Sequence, residues 1–295
     1  MRLVTFRADG GALLGVLRGD DEVVEVTDPG SMVALIDAGR EGLERVRATA
    51  ASSRAKSHRL DDLELLPPIP EPRGNVIAIG RNYEKHAAET ARLEGREPSP
   101  PTIFTKAITS LIEPFGDIAI DPAVSDRIDW EVELAVVIGR GGANIKRGSA
   151  RGHVFGYTVL NDVTARDIQS GWGGQYFKGK SLDRSCPTGP WIVTADEVPD
   201  PQSLKLRLRV DGTLKQDGTT HDMIYPVDAI LEWVSKGMTL LPGSIIATGT
   251  PDGVGFARTP PEYLQPGVVM ETEVEGIGLL RNRIVAAGRE RRHRD

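Results

Sequence analysis

The chain has 295 residues, with 42 acidic and 36 basic side chains and a formal net charge of −6 at pH 7. That length suffices for one full core, or for a large domain with a small companion. The acidic balance leaves no basic field to hold nucleic acid or an anionic membrane surface, so neither is expected as a partner. A single cysteine, Cys186, rules out an intrachain disulfide and suits a reducing cytoplasm. Within Ser185-Cys186-Pro187 it reads as a small buried hydrophobe. The opening Met1–Arg7 lacks the apolar run of a signal peptide, and no stretch approaches the ~20 apolar residues of a membrane helix.

In chain order, residues 1–70 read as a small α+β module. Strands are predicted over Leu3–Arg7, Ala12–Arg18 and Glu22–Thr27, separated by Asp9-Gly10-Gly11 and Gly19-Asp20-Asp21. Ser31 to Ala50 carries helical spacing, with Val33, Leu35, Ile36, Leu43 and Val46 as its apolar face. The proline-rich Leu65–Gly74 is a stiff extended connector that places a boundary before a second domain over 71–285. Beyond it, strands are predicted at Asn75–Gly80, Asp117–Ile120, Gly152–Leu160, Trp191–Val193, Leu204–Val210, Ser244–Thr248 and Val268–Val274. Asp211-Gly212 is a hairpin signal, and Pro226–Lys236 is a helix with Val227, Ile230, Leu231 and Val234 on one side. Residues 286–295 form a short basic tail that reads as a frayed terminus. Many short strands and few helices imply a mixed α/β, β-rich body, a sandwich or rolled sheet and not an alternating βαβ protein.

The stretch Asp129-Trp130-Glu131-Val132-Glu133-Leu134-Ala135-Val136-Val137-Ile138-Gly139 organises the functional reading. Its second half is a buried-strand pattern, and alternation puts Asp129, Glu131 and Glu133 on one face. Neighbouring carboxylates entering a core repel each other and lose hydration, at several kcal/mol per ion unless a cation intervenes. Oxygen donors suit Mg²⁺, Mn²⁺ or Ca²⁺. The other reading is an edge strand whose acidic face meets water. Asp162 ends the apolar Tyr157–Leu160 and is the candidate third ligand, or else a helix N-cap. Arg166, one turn on, is placed to pair with Asp162 or to bind a substrate carboxylate. Lys180, in Gly179-Lys180-Ser181, is either a solvated loop lysine or a group that steadies an oxyanion. His86 and Glu89 are i,i+3 neighbours, a general-base dyad or a surface pair.

Together these stretches resemble the fumarylacetoacetate hydrolase family. The matching pieces are Ile79-Gly80-Arg81-Asn82-Tyr83-x-x-His86-x-x-Glu89, Phe104-x-Lys106, Asp129-Trp130-Glu131-x-Glu133-Leu134, Asn161-Asp162-x-x-x-Arg166-Asp167-x-Gln169, Gly179-Lys180-Ser181-x-Asp183-x-x-x-Pro187-x-Gly189-Pro190 and Thr248-Gly249-Thr250-Pro251-x-Gly253-Val254-Gly255. They occur in the family's order over 75–285. The resemblance implies a rolled, β-sandwich-like catalytic domain and a homodimer. It implies Glu131, Glu133 and Asp162 as ligands of Mg²⁺ or Mn²⁺, with Ca²⁺ the third option. It implies His86 and Glu89 as a water-activating dyad on a segment that closes over substrate, and Lys180 as the residue that polarises substrate. Arg166, Gln169 and Thr250 would position the substrate, with Lys106 near the metal. Lys178 competes with Lys180 for its role.

The activity implied is hydrolysis of a carbon–carbon bond in a 2,4-dioxo acid. The same site suits two alternatives: an oxaloacetate-type decarboxylase or an isomerase of an unsaturated 2-oxo diacid. A non-catalytic metal-binding homologue is the remaining reading. The loops Ser170–Lys178 and Arg258–Leu264 are expected to select among acyl groups. The catalytic reading stands on the three acids converging on one cation: oxygens that point to different places, or a lysine ammonium filling the gap between them, would overturn it.

Overall fold

The structure is a computed structural model that describes residues 1–8, 10–87 and 102–288. Its centre is the strand Val132–Ile138, buried at every position. That strand pairs antiparallel with Val154–Asn161 on one side and with Ile245–Ala247 on the other. A run buried on both faces needs no polar alternation, which is why the sequence here is almost unbroken Val, Ile, Leu and Ala.

Around it the described residues form a 12-stranded sheet and a five-stranded sheet. Outward from Val154–Asn161 come Cys186–Thr194, then Arg2–Ala8, Gly11–Arg18, Glu22–Val26 and Ser57–Arg59. On the other side, Ile245–Ala247 pairs parallel with Val76–Gly80, whose antiparallel neighbour is Thr102–Lys106. The smaller sheet runs Thr213–Thr219, Lys205–Val210, Val269–Val274, Gly278–Ala286 and Ile118–Ile120. The architecture is thus mixed and β-rich, with two stacked sheets and no closed barrel. Leu134 and Val136 pack with Leu206, Leu208, Met270 and Leu280 of the smaller sheet. Ala135 and Val137 point the other way, into a core shared with Leu35, Ile36 and Val46 of the long helix.

Several local expectations hold. The helix Met32–Ala51 starts at Ser31, whose side chain accepts from the Ala34 N–H, and buries Leu35, Ile36 and Val46. The helix Val227–Val234 buries the four residues named for it. The hairpin turn sits on Asp211 and Gly212 at φ 48° and 73°, the left-handed pair that a two-residue turn requires. The proline-rich connector differs from a free linker: Leu65 to Ile69 are buried, Leu66 pairs with Thr5, and the Thr5 hydroxyl donates to the Pro68 carbonyl. Arg2 and Leu3 pair with Val193 and Ile192, so the strands of residues 1–70 continue the large sheet. The strand Gly278–Ala286 went unread in the sequence. Arg281 and Arg283 on its wet face break the apolar run, and only alternate residues are buried.

Candidate active site

Among the described residues, every buried Asp, Glu, Lys and Arg falls in one cluster: Asp129, Glu131, Glu133 and Asp162 with Lys106, Arg166 and Lys180. The backbone explains why. Glu131 and Glu133 stand where the central strand begins, on the face shared by Ala135 and Val137. Asp162 follows directly on Val154–Asn161, whose last residue pairs with Val132, and the Asp162 N–H donates to the Glu131 carbonyl. Antiparallel pairing therefore brings the acids of two strand ends side by side. One oxygen from each of Glu131, Glu133 and Asp162 lies within 4.8 Å of the others. This is a central strand, not a wet edge. Nor is Asp162 a helix cap: the helix Arg166–Gly171 begins after Ala165 with no side-chain cap.

The cations are placed with equal definition. Lys180, buried while Lys178 is exposed, sets its ammonium 2.7 Å from both Glu131 Oε2 and Asp162 Oδ2. It also lies over the Phe104 ring at 5.1 Å. Arg166 corrects an expectation, since it pairs with Asp129 (2.8 Å) and Glu131 (2.7 Å) and not with Asp162. It holds Gln169 Oε1 at 3.0 Å and stacks 4.2 Å from the centre of Phe256. Lys106, expected beside substrate, sits behind Asp162 instead. Its ammonium is 2.8 Å from Asp162 Oδ1 and donates to the carbonyls of Val163 and Lys180. Three donors are thereby occupied, and Lys106 acts on the carboxylate.

Asp129 makes no part of the triad. Its Oδ1 accepts from the N–H groups of Trp130 and Gly255 and its Oδ2 from that of Phe256, so it ties the glycine-rich loop to the strand. Gly249 has φ 99°, and a Cβ there would stand 2.8 Å from that of Asn82. Only glycine fits this bend, and its N–H donates to Glu133 Oε2 at 2.7 Å. Asn82 is saturated in turn, donating to the carbonyls of Thr248 and Tyr225 and accepting from the Tyr225 N–H. Gln216 Oε1 accepts from the Val132 N–H, and its Nε2 donates to Thr250 Oγ1 and the Pro251 carbonyl. The roles of Asn82 and Gln216 escaped sequence reasoning. Asn82 stood in a recognisable motif without visible partners, and Gln216 lies in an ordinary polar strand.

The pocket above the cluster is lined by His86, Glu131, Glu133, Arg166, Gln169, Lys180 and Thr250, with Gly80, Arg81, Phe104, Tyr176 and Phe256 among its other walls. Residues 84–87 are helical and His86 is buried. Its expected partner Glu89 lies outside the described residues, as does the tail 289–295. Ser170 and Tyr176 of the 170–178 loop reach the pocket. The 258–264 loop does not: Arg258 donates to the Lys215 carbonyl, Glu262 pairs with Lys215, and Leu264 enters the core.

The electrostatics separate the three acids. Burial pushes the Glu131 carboxyl up, but Lys180 and Arg166 outweigh it and hold it down at about 2. Glu133 is driven well above the carboxylate range by burial, with Asp162 and Glu131 adding to the rise. Lys180 stays cationic: burial disfavours its charge, and Asp162 and Glu131 more than restore it. Cys186 is buried and its thiol is raised to about 12, chiefly by burial, consistent with an inert core residue.

The donor set fits a hard divalent cation. Three carboxylates converge, and one of them, Glu133, has its carboxyl driven well above the carboxylate range, a rise that a bound cation would reverse. The outcome that would count against a shared ion is met in part: the Lys180 ammonium fills the gap between Glu131 and Asp162, while Glu133 has no ion pair with it. The one acid left without a cationic partner is where a shared ion would relieve the most strain. Among the described residues, no helix is long and apolar enough to cross a membrane.

Known proteins match nearly the whole chain. A sequence model of the fumarylacetoacetate hydrolase C-terminal family matches residues 75–285. The oxaloacetate tautomerase YisK of Bacillus subtilis is 39% identical over 285 residues, 94% of each chain. The solved fumarylacetoacetate hydrolase of Exiguobacterium antarcticum is 40% identical with a TM-score of 0.84, over 97% of this chain and 100% of that one. The maleylpyruvate hydrolase of Sphingobium sp. SYK-6, solved with manganese(II) and pyruvate, is 29% identical with a TM-score of 0.81, over 98% of this chain and all of its own. With the acid triad, the buried lysine and the strand-end arrangement in place, the chain belongs to the fumarylacetoacetate hydrolase family.

Proposed function

We propose that the chain is a divalent-cation-dependent enzyme acting on a small 2-oxo acid, and that its favoured reaction is keto–enol tautomerisation of an oxaloacetate-type acid. The observation that carries the proposal is the convergence of three buried carboxylates beside a buried lysine in one pocket with His86 and Arg166. The kinship with an oxaloacetate tautomerase supports this choice over the carbon–carbon hydrolysis expected from the sequence. Glu131, Glu133 and Asp162 would hold Mg²⁺ or Mn²⁺, which supplies Lewis acidity toward the oxygens of a bound 2-oxo acid. A homodimer in the cytoplasm remains the assembly and compartment we assign.

In the forward direction the C3–H bond breaks, its electron pair forms the C2=C3 bond, and the C2 oxygen gains negative charge and then a proton. His86, on the pocket wall, is the group placed to take the C3 proton, with Glu89 as its orienting partner by the family pattern. Lys180, held cationic between Glu131 and Asp162 and on the pocket wall, would steady the oxygen where charge develops. Arg166, fixed by Asp129 and stacked on Phe256, and Gln169 and Thr250 orient the carboxylate end. The chemistry needs neither attacking water nor a leaving carbon.

A second reading, hydrolysis, rests on the kinship with maleylpyruvate hydrolase. In it His86 deprotonates water that attacks the distal carbonyl. The test is a panel of oxaloacetate, fumarylpyruvate and a diketo-deoxy sugar acid, each with Mg²⁺ and with chelator. Loss of the oxaloacetate enol absorbance faster than the uncatalysed rate, with no pyruvate released, supports tautomerisation. Pyruvate release from fumarylpyruvate alone would favour hydrolysis, and pyruvate from oxaloacetate would favour decarboxylation.

A further inference from the structure

Gln216 lies on the strand Thr213–Thr219, outside every motif of the family resemblance, yet it is buried and reaches the site from the smaller sheet. Its amide orientation is dictated by its neighbours. The Val132 N–H can only donate, so the atom facing it at 3.0 Å is Oε1. The Pro251 carbonyl can only accept, so the atom facing it at 2.9 Å is Nε2. The second proton of that NH₂ group then goes to Thr250 Oγ1 at 2.8 Å. A threonine hydroxyl that accepts there must aim its own proton elsewhere. Thr250 is buried, lines the pocket, and has no other side-chain partner among the described residues.

We propose that Gln216 is a positioning residue: it fixes the Thr250 hydroxyl as an obligate donor into the pocket, so that the site reads an acceptor oxygen of its ligand. The ligand class this selects is an acid whose carboxylate or enolate oxygen faces Thr250. A hydroxyl or amine that donates at that point finds only the second lone pair of Thr250 Oγ1 and leaves the Thr250 proton without an acceptor. The inference deepens the 2-oxo acid reading and rests on it for the identity of the ligand, but not for the direction of the bond.

Gln216→Glu inverts the arrangement. One carboxyl oxygen still accepts from Val132, while the other lacks the protons to serve both Pro251 and Thr250, so the Thr250 hydroxyl turns inward to donate to it. The experiment measures oxalate binding by titration calorimetry in saturating Mn²⁺. Oxalate is a flat two-carboxylate probe that presents acceptor oxygens only. Wild type, Thr250→Val, Gln216→Glu and the double variant are compared, with thermal melts as a folding control.

Loss of one hydrogen bond to a charged acceptor weakens binding about ten- to a hundredfold. We expect Thr250→Val and Gln216→Glu each to show a loss of that order, and the double variant to bind no worse than Thr250→Val. Thr250→Ser, which keeps the hydroxyl, should retain both the affinity and the sensitivity to Gln216. If Gln216→Glu does not fold, Gln216→Met replaces it, because it also removes the constraint on Thr250. Equal fold-losses from the Gln216 change with and without the Thr250 hydroxyl would overturn the proposal, as would unchanged affinity in the Gln216 variant. Oxalate coupling without any oxaloacetate tautomerisation would sink the functional reading and leave this one standing. Tautomerisation without coupling would do the reverse.

Discussion

Lys180→Met asks whether a lysine ammonium or a shared ion completes the acid cluster. In the structure that ammonium makes two 2.7 Å contacts, to Glu131 and Asp162, and its removal leaves four buried carboxylates facing only Lys106 and Arg166. Stripping one partner from a buried ion pair costs about 3–5 kcal/mol. The lower end applies here, because Lys106 still holds Asp162 at 2.8 Å and Arg166 still holds Glu131 at 2.7 Å. For a chain of 295 residues a loss of ~3 kcal/mol lowers Tm by roughly 5 °C. The assay is thermal unfolding in EDTA and in saturating Mg²⁺ or Mn²⁺, for wild type and variant side by side. In chelator the variant should melt lower by that margin. In cation it should recover more than wild type gains, because methionine no longer competes for the oxygens of Glu131 and Asp162. A variant that melts with wild type in EDTA would refute the charge argument. Equal cation-induced shifts in both proteins would refute the idea that ammonium and cation share the same oxygens.

Gly249→Ala puts a Cβ 2.8 Å from that of Asn82 at a φ of 99°, so a stability loss of about 1–3 kcal/mol and a larger loss of cation affinity are expected by melts and calorimetry. Asp129→Asn removes the charge facing Arg166, and with it a buried pair at 2.8 Å; about 3 kcal/mol of stability should go, read as a shifted denaturant midpoint with unchanged slope. Cys186, whose thiol is raised to about 12 by burial, should stay unlabelled by a thiol reagent across pH 6 to 9 in native protein and react at once in denaturant. Its thiolate forms only as pH nears the raised value, so fast native labelling at pH 8 would contradict the burial.

The acid strand was legible because two periodicities coincided in it. An unbroken β-branched run announced burial, and alternation told which carboxylates shared a face. The rest of the triad was half legible. Asp162 stood at a strand end, but only antiparallel pairing of Val132 with Asn161 decides that it meets Glu131 and does not cap the helix after it. Of the two readings of Arg166, the pairing with Asp162 fails for the same reason. Helical spacing put it near Asp162, whereas its guanidinium follows Asp129, an acid from a distant strand. Lys106 read as a substrate group because sequence cannot reveal that two carbonyls and a carboxylate already occupy its protons. The buried proline connector hid a strand pairing that no local signal encodes.

The same long-range pairings explain why this cluster should take an anion. Among the described residues Glu133 is the one acid of the cluster without an ion pair, and its carboxyl is driven well above the carboxylate range by burial and by Asp162 and Glu131. With a divalent cation bound and all four acids ionised, the same groups would come to one positive charge in excess. A neutral ligand would leave that excess uncompensated at a cost of several kcal/mol. On the proposed reading the carboxylate at the cation would cancel it, and the second carboxylate and the charge developing on the ligand would fall to Lys180, Arg166 and the Thr250 hydroxyl. If the proposed reading holds, the arrangement would be better matched to an acid that becomes an enolate than to the acid at rest, which is the condition for accelerating enolisation and not merely binding.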